Sequence, residues 1–304
     1  MHSQAEKDSV AILSVVSNSS LVVLKLLVGI LTGSVSVLSE AIHSGVDLVA
    51  SVIALVAVKK SGKPADDNHP YGHGKIENLS GVIEALLIFG AAGWIIMEAV
   101  EKLQHREVLE SPGWGMGIML ISTVANIIVS EKLFTVGRKT DSSALLADAW
   151  HLRTDVFTSL GVMVGLGVIL AGKWLWPGKD LSWVDPVAAM MVACLILKAA
   201  YDLTLSAGRD LLDVRLPPEE EEQIAKIVAK ADPGIKSQHK LRTRKAGHIR
   251  YADLHIQVDP SMTVDAAHDL SHLIALRIRE AFPETVTTVH VEPWKHDRAK
   301  KEGK

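Results

Sequence analysis

The stretch VSVLSEAIHSGVDLVASVIALVAV, residues 35–58, decides the fold. It is apolar over the ~20 residues that a helix needs to cross a bilayer. Yet it holds Glu40, His43 and Asp47. Ionisable groups inside a membrane span are costly, so they point to function.

Working outward, six such apolar stretches run at about 9–32, 35–58, 77–100, 113–134, 144–171 and 182–206. Turn signals or charges separate them: Gly33-Ser34, Gly62-Lys63-Pro64, Ser111-Pro112-Gly113, Gly137-Arg138-Lys139 and Pro177-Gly178-Lys179. They lack the period-2 alternation of barrel strands, and only helices or closed barrels cross lipid. The first run has no small-residue cleavage pattern and is expected to stay as a span. The 304-residue chain is 48 % hydrophobic, but the charge gathers after residue 207. The expected fold is a membrane all-α six-helix transmembrane bundle over 1–206. A small cytoplasmic α+β (αββαβ) domain over 207–294 and a disordered, charged tail over 295–304 follow it. A net charge of -3 and no basic stripe exclude nucleic acid as a partner.

Basic residues in the short loops set the orientation. Lys59, Lys60, Lys63, Lys75, Lys132, Arg138 and Lys139 lie on one side, against Lys102, Arg106, Lys173 and Lys179 on the other. That bias puts both termini in the cytoplasm. Trp174, Trp176 and Trp183 flank the fifth loop as interfacial anchors. In the last domain, Glu219–Glu222 start a helix that runs to about Ala231, after Pro217-Pro218. Strands at about 239–245 and 249–258, a helix at about 263–281 and a strand over Thr285–Val291 complete it.

The second span carries His43 and Asp47, and the fifth carries His151 and Asp155. Both read H-x-x-x-D, and residues four apart share one helix face. If the two faces meet, two imidazoles and two carboxylates surround one point. That set suits a tetrahedral divalent ion, and the carboxylates neutralise its charge. The bland reading is that each pair is satisfied by helix–helix hydrogen bonds; two matching pairs argue against it. Asn18 and Asn126 read as interhelical hydrogen-bonders, and Lys25 as a snorkelling or paired cation without a role in ion passage. Cys194 alone can form neither an internal disulfide nor a CxxC zinc site. Asp66, His69 and His73 group in the loop after the second span, where a solvated polar loop and a metal site both fit the spacing. The last domain holds seven histidines at 239, 248, 255, 268, 272, 290 and 296. His255 and His290 sit on expected strands, with Glu292 on the face of His290.

The segments Ser39–Asp47 and Ala147–Asp155, and the loop His69–Glu77, resemble motifs of the cation diffusion facilitator family. The resemblance covers about residues 8–293. It implies export of zinc as the bound and transported ion, with Cd, Co, Ni or Fe as alternatives. It implies that His43, where some members carry Asp, narrows the preference toward zinc over cadmium. It also implies a second, weaker zinc site at Asp66, His69 and His73. A binuclear zinc site at the interface of two tail domains would use His239, His255, His268, His290 and Glu292, although the family often has Asp at the last position. Lys75 and Asp213 match a charge interlock that holds a homodimer together. His2, His105, His248, His272 and His296 have no matching role and read as polar surface.

The expected function is proton-coupled zinc efflux across the inner membrane by alternating access, with protons and the lipid bilayer as the other partners. Imidazole and carboxylate ligands bind protons as well as metal, so the two compete. The tail domain would sense zinc. The rivals are a transport-inactive metal sensor or scaffold partner, which a degraded ligand set would favour, and a membrane metalloenzyme, for which no H-E-x-x-H motif is present.

Overall fold

The computed structural model describes residues 2–33, 35–104, 114–175 and 183–295. Six long helices come first: α1 His2–Thr32, α2 Val35–Ser61, α3 Lys75–Gln104, α4 Trp114–Thr140, α5 Ser143–Leu175 and α6 Val184–Leu211. Then come α7 Pro218–Ala229, β1 Ser237–Ala246, β2 Ile249–Val258, α8 Val264–Ala281 and β3 Thr285–Pro293. Two compact units result, 1–208 and 209–304.

Among the described residues, five helices are long and apolar enough to cross a membrane: α1, α2, α3, α4 and α6. The 33-residue α5, which carries Asp148, His151 and Asp155, is about 50 Å long at 1.5 Å per residue. It packs on α2, α3 and α4, while α1 packs on α2 and α4. Small residues make the close approaches: Ala50, Ala54, Ala57, Ala85, Ala144 and Ala147 are all buried. In lipid no hydrophobic force drives helices together, so close packing of small side chains has to. Large apolar side chains such as Leu31, Ile42, Trp94, Met97 and Met191 point outward instead, as a lipid-facing surface requires.

One turn reading is corrected. Gly137-Arg138-Lys139 is helical, and α4 runs to Thr140. A Cβ on Gly137 would lie 3.1 Å from Leu146 Cδ2 and 3.2 Å from Leu145 Cβ, so this glycine admits the start of α5. The chain reverses instead at Asp141, with φ 54, where Ser142 N donates to Gly137 O at 2.9 Å. Gly33 does make the expected turn, and it does so in the left-handed region, with φ 67. The turn signals at 111–113 and 177–179, together with His105, Arg106, Trp176, His296 and the tail from 296, lie outside the described residues. Trp183 is exposed just before α6.

In the second unit Pro218 opens α7, where its missing N–H costs nothing. Thr263 caps α8 by accepting from Ala266 N. The sheet order is β1-β2-β3, antiparallel between β1 and β2 and parallel between β2 and β3. Along β2, Ala252, Leu254, Ile256 and Val258 are buried. Leu254, Ile256 and Val258 form the core with Ile224 and Val228 of α7 and Leu270, Ile274 and Ile278 of α8. Strand alternation therefore turns Asp253, His255 and Gln257 to the face away from the helices.

Candidate metal centre

In the bundle, α2 and α5 bring their polar faces together. His151 Nε2 lies 3.2 Å from Asp47 Oδ1, and His43 Nε2 lies 3.8 Å from Asp155 Oδ1 and 4.0 Å from Asp47 Oδ1. Ligand atoms of His43, Asp47 and Asp155 lie within 4.8 Å of one another, and His151 joins through Asp47. A tetrahedral ion with bonds of ~2.0–2.1 Å holds its ligand atoms about 3.3 Å apart. The three N–O separations, 3.2, 3.8 and 4.0 Å, run from that spacing to somewhat above it, so the four side chains would draw closer around an ion. Asp155 Oδ2 and His151 Nδ1 are buried without a hydrogen-bond partner. Asn18 Nδ2 donates to the Asp47 carbonyl at 3.5 Å, which ties α1 to the site.

A second ring of polar groups surrounds this cluster. Lys25 Nζ reaches Glu40 Oε2 at 3.1 Å and Ser44 Oγ at 2.8 Å. Buried in the bundle, Lys25 is held by a partner and does not snorkel. Glu84 on α3 is fully buried, and the sequence reading passed over it. The available signal was a carboxylate in the middle of the third apolar run.

The loop after α2 builds its own cluster. The Asp66 carboxylate accepts from the backbone N–H of Asn68 at 3.0 Å and of His69 at 2.7 Å, an Asx-type turn. This presents the carboxylate to His69 Nδ1 at 3.2 Å and to His73 Nε2 at 3.4 Å. The hydrogen bond from the His69 backbone is the main reason that the Asp66 carboxyl sits below its ordinary value. Gly72 makes the loop possible with φ 81, and its N–H donates to His69 O.

In the second unit the strand register lines up His239 with His255 and His255 with His290. Their ring centroids are 5.4 Å and 4.6 Å apart. A bulge follows His239, where Lys240 has φ 52, and such a bulge re-aims the side chains around it. Glu292, beside Gln257 in the register, reaches all three rings. It lies 2.9 Å from His255 Nδ1, 3.4 Å from His239 Nε2 and 3.8 Å from His290 Nε2. His268 stands apart on α8, with its ring 4.5 Å from that of His272. The sequence reading left His272 as polar surface, although H-x-x-x-H spacing on a helix was the signal for this pairing. Asp213, with φ 54 just past α6, accepts from Arg244 at 3.3 Å. Lys75 opens α3.

The hydrogen bond with His255 holds the Glu292 carboxyl below its ordinary value of 4.5. A carboxyl depressed on folding stabilises the folded state above its unfolded value. That contribution is lost as pH falls through the folded one. In metal-free protein, Glu292→Gln should therefore lower the thermal stability of the second unit at neutral pH. The difference from wild type should shrink as pH drops below 4.5. Thermal scans at both pH values check this, and a difference that grows on acidification would contradict it.

Comparison with known proteins follows the same division. The cation efflux transmembrane domain matches residues 11–212, and the cation efflux protein cytoplasmic domain matches residues 216–294. An uncharacterized transporter of Synechocystis, sll1263, is 34 % identical over 94 % of this chain and 92 % of its own length. The cation-efflux pump FieF of Salmonella paratyphi A is 32 % identical over 93 % of this chain and 91 % of its own. A solved CzrB chain is 33 % identical over 26 % of this chain and 99 % of its own, at a TM-score of 0.26. Two family models match in the order in which the two units are built, and the full-length relatives align almost end to end. The chain therefore belongs to the cation efflux family, the cation diffusion facilitators, and is a multi-pass membrane protein of divalent-cation efflux.

Proposed function

We propose that the exported cation is zinc and that its export is exchanged for protons. The carrying observation is the convergence of His43 and Asp47 on α2 with His151 and Asp155 on α5. Two nitrogens and two carboxylate oxygens are a borderline set, suited to zinc rather than to harder or softer ions. Zinc enters from the cytoplasm and needs these groups deprotonated. Protons arriving from the other side displace it, and the protonated site returns. The chain lies in the inner membrane with both termini in the cytoplasm.

Asp66, His69 and His73 hold a second, weaker zinc. The row of His239, His255 and His290 with Glu292 holds regulatory zinc, to which His268 contributes across the interface of a homodimer. Lys75 and Asp213 interlock that dimer. Support comes from ligand-atom separations of 2.9 to 3.8 Å around Glu292, which bracket tetrahedral spacing. If zinc binds one packing of the two subunits more tightly, it shifts the population toward that packing.

The test is zinc flux into proteoliposomes under an imposed pH gradient. Wild type should take up zinc in proportion to the gradient, and Asp155→Ala should not. Uptake indifferent to the gradient removes proton exchange, and uptake retained by the variant removes the four-residue site.

A further inference from the structure

Next to the four-residue site lies a second group of acids that its chemistry does not use. Glu84 on α3 and Asp148 on α5 are both fully buried. They sit on helices that pack together, and their chain neighbours Ala85 and Ala147 share one packed cluster. Glu84 Oε1 accepts from Ser80 Oγ at 2.9 Å. The other three carboxyl oxygens, Glu84 Oε2 and both of Asp148, have no hydrogen-bond partner. Ser14 on α1 faces Asp148 without closing a hydrogen bond of good geometry. Of the other charged groups, His151 on α5 and Asp47 on α2 face Asp148. Beside them along the chain, Ala85 and Ile88 of α3 and Ala147 of α5 pack with Ile196 and Ala200 of α6 in an apolar cluster.

Two ionised carboxylates in such a place would repel one another, and burial makes that repulsion costly. Buried carboxyl oxygens without partners call for something that satisfies them. A proton does so at least cost, because a carboxylic acid is neutral and donates where a carboxylate only accepts. We propose that Glu84 and Asp148 form a proton-binding pair that gives up one proton when a divalent cation enters the four-residue site. Asp148 lies one helical turn from His151. An arriving double charge therefore stabilises the ionised pair across a low-dielectric gap. The proton leaves to solvent and returns when the cation departs. The pair thus adds a proton to those carried by the four ligands themselves. This rests on the proton exchange proposed above.

The experiment counts protons released as zinc binds to the full-length protein in detergent, by calorimetry in buffers of different ionisation enthalpy. Glu84→Gln keeps the shape and the acceptor for Ser80. It should bind as many zinc ions as wild type while releasing about one proton fewer. In an Asp155→Ala background the same substitution should change nothing. An unchanged proton count in Glu84→Gln overturns the pair. A wild type that releases no protons at all overturns the exchange reading as well, so the two failures are distinct. An infrared difference spectrum of wild type supplies a check free of any variant. Zinc addition should remove a protonated-carboxyl C=O band, and its absence also overturns the proposal.

Discussion

Zinc flux through Asp47→Ala is expected to fall at least ~100-fold, because loss of an outer partner of a ligand already costs 10–100-fold. Asp47 is the member of the cluster that touches both imidazoles, His151 Nε2 at 3.2 Å and His43 Nε2 at 4.0 Å. Asp155 meets His43 alone at the distances seen, 3.8 Å. Removing Asp47 therefore deletes one of the proposed ligands and the bridge between the two helix faces. It also leaves one carboxylate, Asp155, to offset a double charge in the bundle. Asp47→Asn separates charge from shape, since the amide keeps the volume and loses the anion. Both variants should lose flux alike, while the Asn variant still unfolds cooperatively in detergent, which reports an intact bundle. An Asn variant that keeps roughly a tenth or more of wild-type flux would place the importance of Asp47 in hydrogen bonding rather than in ligation.

The helices of the bundle were legible because lipid imposes a strong rule: an apolar run of fixed length and no unpaired backbone. Their ends were less so. Gly137 looked like a turn because glycine commonly ends helices, but a contact with Leu145 and Leu146, eight and nine residues on, gives it its place. No local pattern announces such a contact. The H-x-x-x-D pairs showed each helix offering two groups. That the faces of α2 and α5 meet is a tertiary fact. The row of imidazoles shows the same limit. Alternation gave the face of each strand, but the register that sets His239 beside His255 depends on the bulge at Lys240, and the one that sets His255 beside His290 on a parallel pairing that only the fold decides. Glu84 was readable and was missed, since one carboxylate in an apolar helix stands out by composition alone.

Of all single substitutions outside the ligand sets, Glu77→Ala should destabilise the bundle most. Glu77 sits at the head of α3, fully buried, and groups from three other parts of the bundle converge on its carboxylate. Lys7 Nζ of α1 lies 3.0 Å from Oε1, Ser61 Oγ at the end of α2 donates to Oε1 at 2.6 Å, and Ser142 Oγ before α5 donates to Oε2 at 2.5 Å. Lys7 is only 1 % exposed, so its ammonium depends on this carboxylate for the desolvation it has undergone. Breaking a buried pair from one side costs about 3–5 kcal/mol, because a buried charge loses a counter-charge. Thermal unfolding of the detergent-solubilised protein should show a drop on the order of 10 °C at that cost. The double variant Lys7→Met, Glu77→Gln makes the argument specific. Gln keeps an acceptor oxygen for one serine and can donate its amide N–H to the hydroxyl oxygen of the other, and Met removes the lysine charge while filling the volume of its stem. It should therefore be more stable than Glu77→Gln alone, a coupling that contacting residues show and independent ones do not. Strict additivity of the two substitutions would mean that Lys7 finds another counter-charge, and that the carboxylate acts through its serines instead.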